Sequence, residues 1–170
     1  QDPYASLNPK MTILDNVKFS LMVHGYEKSE QMERSLEMLE RVGISRSMSG
    51  KYPDSLSGGQ RQRVAIARAL AAEPELVVCD EAVSALDVVV QAQILRLLTE
   101  LQERLGLTYV FITHDLAVVR QVADEVAVMQ RGRVVERGSV DEVFDEPRTD
   151  YTRTLLDAIP GRDLDLGRPA

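Results

Sequence analysis

Apolar positions recur at helical spacing through the first third of the chain and turn into short unbroken runs after residue 75. Residues 12–24 predict a helix stopped by Gly25. Residues 29–42 predict a second, capped by Ser29 and stopped by Gly43; its Met32, Leu36, Leu39 and Val42 are expected to face a core. Residues 44–53 form a connector with room for one helical turn. Ser57 opens the next helix, which runs to about residue 72 and ends at Glu73-Pro74; Ser57-Gly58-Gly59-Gln60 fits a capping box. The run 76–79 is continuously apolar, as in a strand buried on both faces, and 108–112 reads the same way. Between them, 88–105 is a long helix ended by Gly106. Beyond lie a helix at 115–123, a hairpin of 125–130 with 133–136 turning at Arg131-Gly132, and short helices at 140–144 and 151–159. The stretch after Pro160 is polar and expected to be loose.

Strands that alternate with helices from 75 to 125 call for parallel pairing with right-handed crossovers. The expected fold is therefore α/β, a parallel sheet with a helical lobe made of the first third. At 170 residues, 44% hydrophobic and 28% charged, the chain has enough apolar content for a core. A net charge of −7 argues against nonspecific nucleic-acid binding. The single cysteine, Cys79, excludes an internal disulfide and points to a reducing compartment. No run is long enough to cross a bilayer and no apolar leader is visible. The chain opens on Gln1 without an initiator Met, which points to a truncated frame, a processed product or a cut piece.

Two segments carry candidate chemistry. Ser57, Gly58, Gly59 and Gln60 stand at a helix N-terminus, where free amides and the positive end of the dipole suit a phosphate, and glycine admits it to the backbone. The competing reading is an ordinary capped helix. Sixteen residues on, the run 76–79 ends in Asp80-Glu81, two carboxylates at the carboxyl edge of a parallel sheet. There Asp80 would hold magnesium through water and Glu81 would orient or deprotonate an attacking water. The competing reading is a solvated strand end. His114 follows the second strand and reaches the same edge, where a neutral imidazole could contact a terminal phosphate. Asp87 is most simply the N-cap of the long helix. Arg61, Arg63 and Arg68 either face phosphate or are solvated, and Cys79 is a small buried hydrophobe. A G-x-S-x-G elbow is absent, and so is a G-x-x-x-x-G-K-[ST] loop.

Gln1, Leu56-Ser57-Gly58-Gly59-Gln60, the run 76–81, Ser84-Ala85-Leu86-Asp87 and His114 resemble, in order and spacing, the ATP-binding subunits of ABC transporters from the Q-loop onward. The strings Gln1-Asp2-Pro3-Tyr4-Ala5-Ser6-Leu7-Asn8-Pro9, Glu81-Ala82-Val83-Ser84-Ala85-Leu86-Asp87, Gln91-Ala92-Gln93, His114-Asp115-Leu116-Ala117-Val118-Val119 and Tyr151-Thr152-Arg153 are similar to the dipeptide, oligopeptide and nickel importer branch. Val89 stands where that branch often has Ser, and its cysteine-rich C-terminal segment is missing, so no iron–sulfur cluster is expected.

The resemblance implies a partial P-loop NTPase core. Residues 1–56 would be the Q-loop and helical subdomain, 57–138 the later part of the ATPase core, and 139–170 a helical extension and tail. Gln1 would sense magnesium and the membrane partner, Ser57–Gln60 would be the signature motif, and Asp80 the Walker B aspartate. Glu81 would be the catalytic base, Asp87 part of the D-loop and His114 the switch histidine. ATP and Mg2+ are the implied cofactors. Two ATP-binding subunits, identical or not, would pair head to tail, each ATP lying between the P-loop of one and the signature motif of the other. Integral-membrane permease subunits, and indirectly a solute-binding protein, would be partners at the cytoplasmic face of a bacterial inner membrane; nucleic acid would not. The 170 residues alone are expected to be inactive for want of the P-loop, and marginally stable because neighbouring strands would be missing. The rivals are a soluble ABC ATPase acting on DNA or ribosomes, and a non-catalytic half that donates only its signature motif.

Overall fold

A computed structural model describes residues 6–159, which divide into two compact units between Ile112 and Thr113.

The first unit begins with two amphipathic helices. Helix α1 (Ile13–Val23) is capped by Thr12, whose hydroxyl accepts the Asp15 amide. Its buried Asn16 anchors the preceding turn: Oδ1 accepts the Asn8 N–H at 2.8 Å, and Nδ2 donates to the carbonyls of Asn8, Met11 and Thr12. Helix α2 (Lys28–Arg41) starts two residues earlier than its sequence suggests, because Glu27, not Ser29, caps it in a reciprocal box with Glu30. Its inward stripe keeps Leu39 and Val42 of the expected four, leaves Leu36 half-buried and differs toward the N-terminus. Gln31, Ser35, Met38 and Leu39 are buried, with Val42 just beyond, whereas Met32 is exposed. The Gln31 amide reaches the Tyr26 carbonyl at 2.6 Å, which draws that polar residue inward. Two short 3-10 turns, Arg46–Met48 and Pro53–Ser55, lead to helix α3 (Gly58–Leu70). Helices α1, α2 and α3 pack on one another through Ile13, Val17, Leu21, Leu39, Val64 and Leu70, all essentially inaccessible.

Strand β1 (Leu76–Asp80), helix α4 (Val88–Leu105) and strand β2 (Thr108–Ile112) make the expected parallel crossover. Asp87 caps α4, and Gly106, at φ +65°, ends it in the left-handed conformation that glycine tolerates. The pairing runs from Leu76 opposite Thr108 to Asp80 opposite Ile112. Burial on both faces is not what the strands show. Cys79 is buried and the Tyr109 hydroxyl donates to the Leu98 carbonyl of α4, but on the other face Leu76, Val78, Val110 and Ile112 are exposed, Val78 by 59%. Among the described residues the first unit has only these two strands, so its helices shield one side.

In the second unit, helix α5 (Leu116–Val122) is capped by Asp115. Strands β3 (Glu125–Gln130) and β4 (Arg133–Ser139) form an antiparallel hairpin; Arg131 at φ +50° and Gly132 at φ +75° supply the two positive φ values of a tight primed turn. Strand β4 runs three residues past the expected end, because Arg137, Gly138 and Ser139 continue the ladder opposite Ala127, Val126 and Glu125. Ser139 and Glu142 form a capping box on helix α6 (Val140–Asp145), and Thr149 caps helix α7 (Asp150–Asp157). Val140, Phe144 and Leu156 are the core of this unit, with Leu116, Val119 and Val126 against it. Buried Glu136 pins the turn before α7: it accepts the amides of Arg148 and Thr149 and the Thr149 hydroxyl. Burial alone would raise this carboxyl, but the hydrogen bonds outweigh it and hold it down to about 2.

Candidate functional site

The N-terminus of α3 is built as its sequence suggests. The Ser57 hydroxyl accepts the Gln60 N–H at 3.3 Å, and Gln60 Oε1 accepts the Ser57 N–H at 3.0 Å. The box occupies the Ser57 amide. Gly58 and Gly59, as the first two helical residues, have amides without intrahelical partners and stand at the positive end of the dipole. Gly59 has a second reason to be glycine: a Cβ there would lie 2.7 Å from Val90 Cγ1 in the first turn of α4. Sequence reasoning assigned the glycines to phosphate approach alone and missed this packing.

The arginines of α3 are only partly exposed, and each spends donors on a neighbouring carbonyl. Arg61 donates to the Leu56 carbonyl through both Nε and Nη2, Arg63 to the Val42 carbonyl at 2.8 Å, and half-buried Arg68 to the Ser6 carbonyl. Burial lowers the Arg68 guanidinium from its ordinary range. These side chains fasten neighbouring segments to α3.

Asp80 ends β1, and Glu81 turns sharply from it with φ +48°. A left-handed non-glycine residue is strained, and the surroundings hold it: the Glu81 N–H donates to the Ile112 carbonyl at 2.8 Å, and its own carbonyl accepts from the Ser84 hydroxyl and amide. Because Asp80 and Ile112 are register partners, both strands end at one edge. His114 stands two residues after Ile112 in the chain, exposed, in the bend before α5 and within the second unit. Asp87 Oδ1 accepts the Val90 amide at 3.0 Å as the α4 cap. Cys79 is buried, and loss of solvation pushes its thiol up to about 11, in keeping with an inert packing residue. Gln1 lies outside the described residues.

Gln62 was overlooked. It is only 7% exposed, and its Nε2 donates to the carbonyl of Ala82, the residue after Glu81, at 2.6 Å. The signal was present: Gln62 stands four residues before Ile66 and eight before Leu70 on the buried row of α3.

Two free glycine amides at a helix N-terminus suit phosphate oxygens. Carboxylates at Asp80 and Glu81 suit a hard divalent cation. Among the described residues no group of three or more His, Cys, Asp or Glu is gathered as a metal cage. A groove of about 340 Å3 lies apart from these acids, lined by Lys10, Met11, Phe19, Met22, Gln31 and Tyr52. Among the described residues no helix is long and apolar enough to cross a membrane.

Residues 1–84 match the ABC transporter family. Over 170 residues the chain is 49% identical to the oligopeptide transport ATP-binding protein OppF of Bacillus subtilis, covering 99% of this chain and 56% of that protein. It is 48% identical over 161 residues to the dipeptide transport ATP-binding protein DppF of Escherichia coli, covering 94% and 48% respectively. The chain thus spans about half the length of these curated relatives. Among solved structures, it resembles the dimeric post-hydrolysis state of the ATP-binding cassette MJ0796 bound to ADP and Pi, with TM-score 0.67, 35% identity, and coverage of 79% of this chain and 59% of that one.

Proposed function

We propose that this chain, which belongs to the ABC transporter ATP-binding family, is the part of an importer's ATP-hydrolysing subunit that carries the signature motif and the catalytic acids, and that its substrate system is peptides or a related small solute. The observation that carries the reading is the common edge of β1 and β2. There β1 ends in Asp80 and passes into Glu81, at the kind of edge where a parallel sheet binds ligands, and Glu81 is held in a strained turn.

Each residue has a role in that reading. Gly58 and Gly59 present amides to the terminal phosphate of an ATP gripped by a second, head-to-tail subunit, and Ser57 and Gln60 hold that turn rigid. Asp80 orients water around Mg2+, which supplies charge neutralisation to the phosphates when bound. Glu81 accepts the proton of the attacking water and His114 steadies the leaving phosphoryl oxygens. Asp87 keeps α4 in register beneath the site, and Gln1 would be a further ligand to Mg2+. A lysine-bearing phosphate loop does not occur in these 170 residues, so the phosphate grip comes from elsewhere in the subunit.

The groove beside Phe19, Met22 and Tyr52 is the docking place of a cytoplasmic helix of the permease. These three residues are about half exposed, which suits an apolar helix face; at the rim Lys18 is paired with Asp15 at 3.7 Å and Lys10 adds a positive charge. Docking there keeps the subunit at the cytoplasmic face of the membrane.

The test is Glu81→Gln in the complete transporter. Turnover should fall at least about 100-fold while ATP-dependent pairing of subunits persists. Undiminished turnover would overturn the catalytic reading in favour of a half that only donates its signature motif. A Phe19→Asp variant should lose co-purification with the permease and keep its fold.

A further inference from the structure

We infer that Gln62 is a positioning residue for Glu81, tying the phosphate-facing turn of α3 to the acid of the neighbouring site; this rests on the reading of Glu81 as the base. The Ala82 carbonyl belongs to the irregular segment between β1 and α4, where no ladder accounts for it. The Gln62 amide reaches it at 2.6 Å across twenty positions of sequence, from a residue almost fully removed from solvent. That carbonyl lies in the peptide joining Ala82 to Val83, one unit beyond the Glu81 carbonyl that Ser84 holds, so the bond fixes the turn into which Glu81 leads at φ +48°. A left-handed residue and a single hydrogen bond are of comparable energetic size, so loss of the bond is enough to let the turn after Glu81 relax and Glu81 leave its strained conformation. The Glu81 carboxylate would then shift from its place at the sheet edge.

A second contact makes the link mechanical. Gly59 lies against Val90, and Val90 is held in turn by Asp87, the cap of α4. The segment 81–87 is thus gripped at one end through Gln62 and at the other through Gly59, both on α3. In a head-to-tail pair, Gly58 and Gly59 face one ATP and Glu81 serves the other. Phosphate seated on α3 therefore bears on the acid of the opposite site through Gln62 and Val90 of one chain.

The experiment compares Gln62→Met, of similar length but without a donor, and Gln62→Lys, which restores an N–H of similar reach, in the intact transporter. Gln62→Met should lower kcat about tenfold with KM for ATP within twofold, because Gln62 holds the backbone of Ala82 beside the acid and does not touch the nucleotide. Hydrogen exchange at the Ser84 and Leu86 amides, which bond to the Glu81 and Val83 carbonyls, should quicken about tenfold while the interior of α3 stays protected. Gln62→Lys should recover both readings. Unchanged exchange at Ser84 and Leu86 overturns the tether. Faster exchange with kcat within twofold of the unmodified transporter overturns the positioning role, as does failure of Gln62→Lys to recover kcat. If Gln62→Met does not purify as a folded assembly, Gln62→Leu, which also lacks the donor, is read in the same way. An unmodified transporter without ATPase activity would sink the proposed function, whereas an active one indifferent to Gln62→Met sinks this inference alone.

Discussion

Gly59 and Val90 are in such close contact that a single added methyl on Gly59 would stand 2.7 Å from Val90 Cγ1. Two helices that the chain separates by a strand and a turn are thereby locked at their N-termini. Val90 is β-branched and has few rotamers into which to retreat. Gly59→Ala should therefore destabilise the first unit by about 1–3 kcal/mol. Gly59→Ala combined with Val90→Ala should recover most of the melting temperature. A lone Gly59→Ala that melts like the parent would show that the two helices do not touch.

Glu81 is held at φ +48° by the bonds around it. Glycine adopts that conformation freely and alanine does not. Glu81→Gly should melt above Glu81→Ala by a margin worth about 1 kcal/mol, although both lose the acid. Equal melting would place Glu81 in an ordinary, unstrained turn.

Ser35 lies at the centre of the α2 stripe, fully buried, and its hydroxyl has no hydrogen-bond partner among the described residues. An unmade hydrogen bond of this kind costs stability that no contact returns. Ser35→Ala should raise stability by about 1 kcal/mol, read as a higher denaturant midpoint with unchanged slope. A lower midpoint would mean that the hydroxyl has a partner in solution.

Glu136 is depressed to about 2 from an ordinary 4.5, since the hydrogen bonds from the Thr152 and Thr149 side chains and the Arg148 and Thr149 amides outweigh its burial. A carboxylate lowered on folding lends stability that is fully present above its unfolded value and is lost as pH falls through its folded one. The second unit should lose stability between about pH 4.5 and pH 2. Glu136→Gln should flatten that part of the pH profile, and an unchanged acid limb would assign acid sensitivity to other carboxylates.

Much of the molecule was legible in one dimension. The helix 88–105 and strand 108–112 occur with the bounds that their apolar runs and Gly106 imply, and the Ser57–Gln60 box closes as its residue types require. These features depend on neighbours within four residues, so the chain itself carries them. The cap of α2 was misread because Glu27 and Glu30 form a box from a residue type less usual at that position than Ser29. Its stripe was misread because a buried Gln31 and Ser35 look like surface residues.

What order and spacing alone determined is the alternation of helix and strand, the parallel crossover, and the place of Asp80, Glu81 and the Ser57–Gln60 turn within it. Only the tertiary structure decided that one face of β1 and β2 is open, that Arg61, Arg63 and Arg68 serve as internal fasteners, and that Gln62 holds the carbonyl beside Glu81. The division has a physical cause. Periodicity and capping are short-range and are written in neighbouring residues. A hydrogen bond from α3 to the turn after β1, or a methyl-sized gap between two helix ends, exists only once distant segments have been brought together.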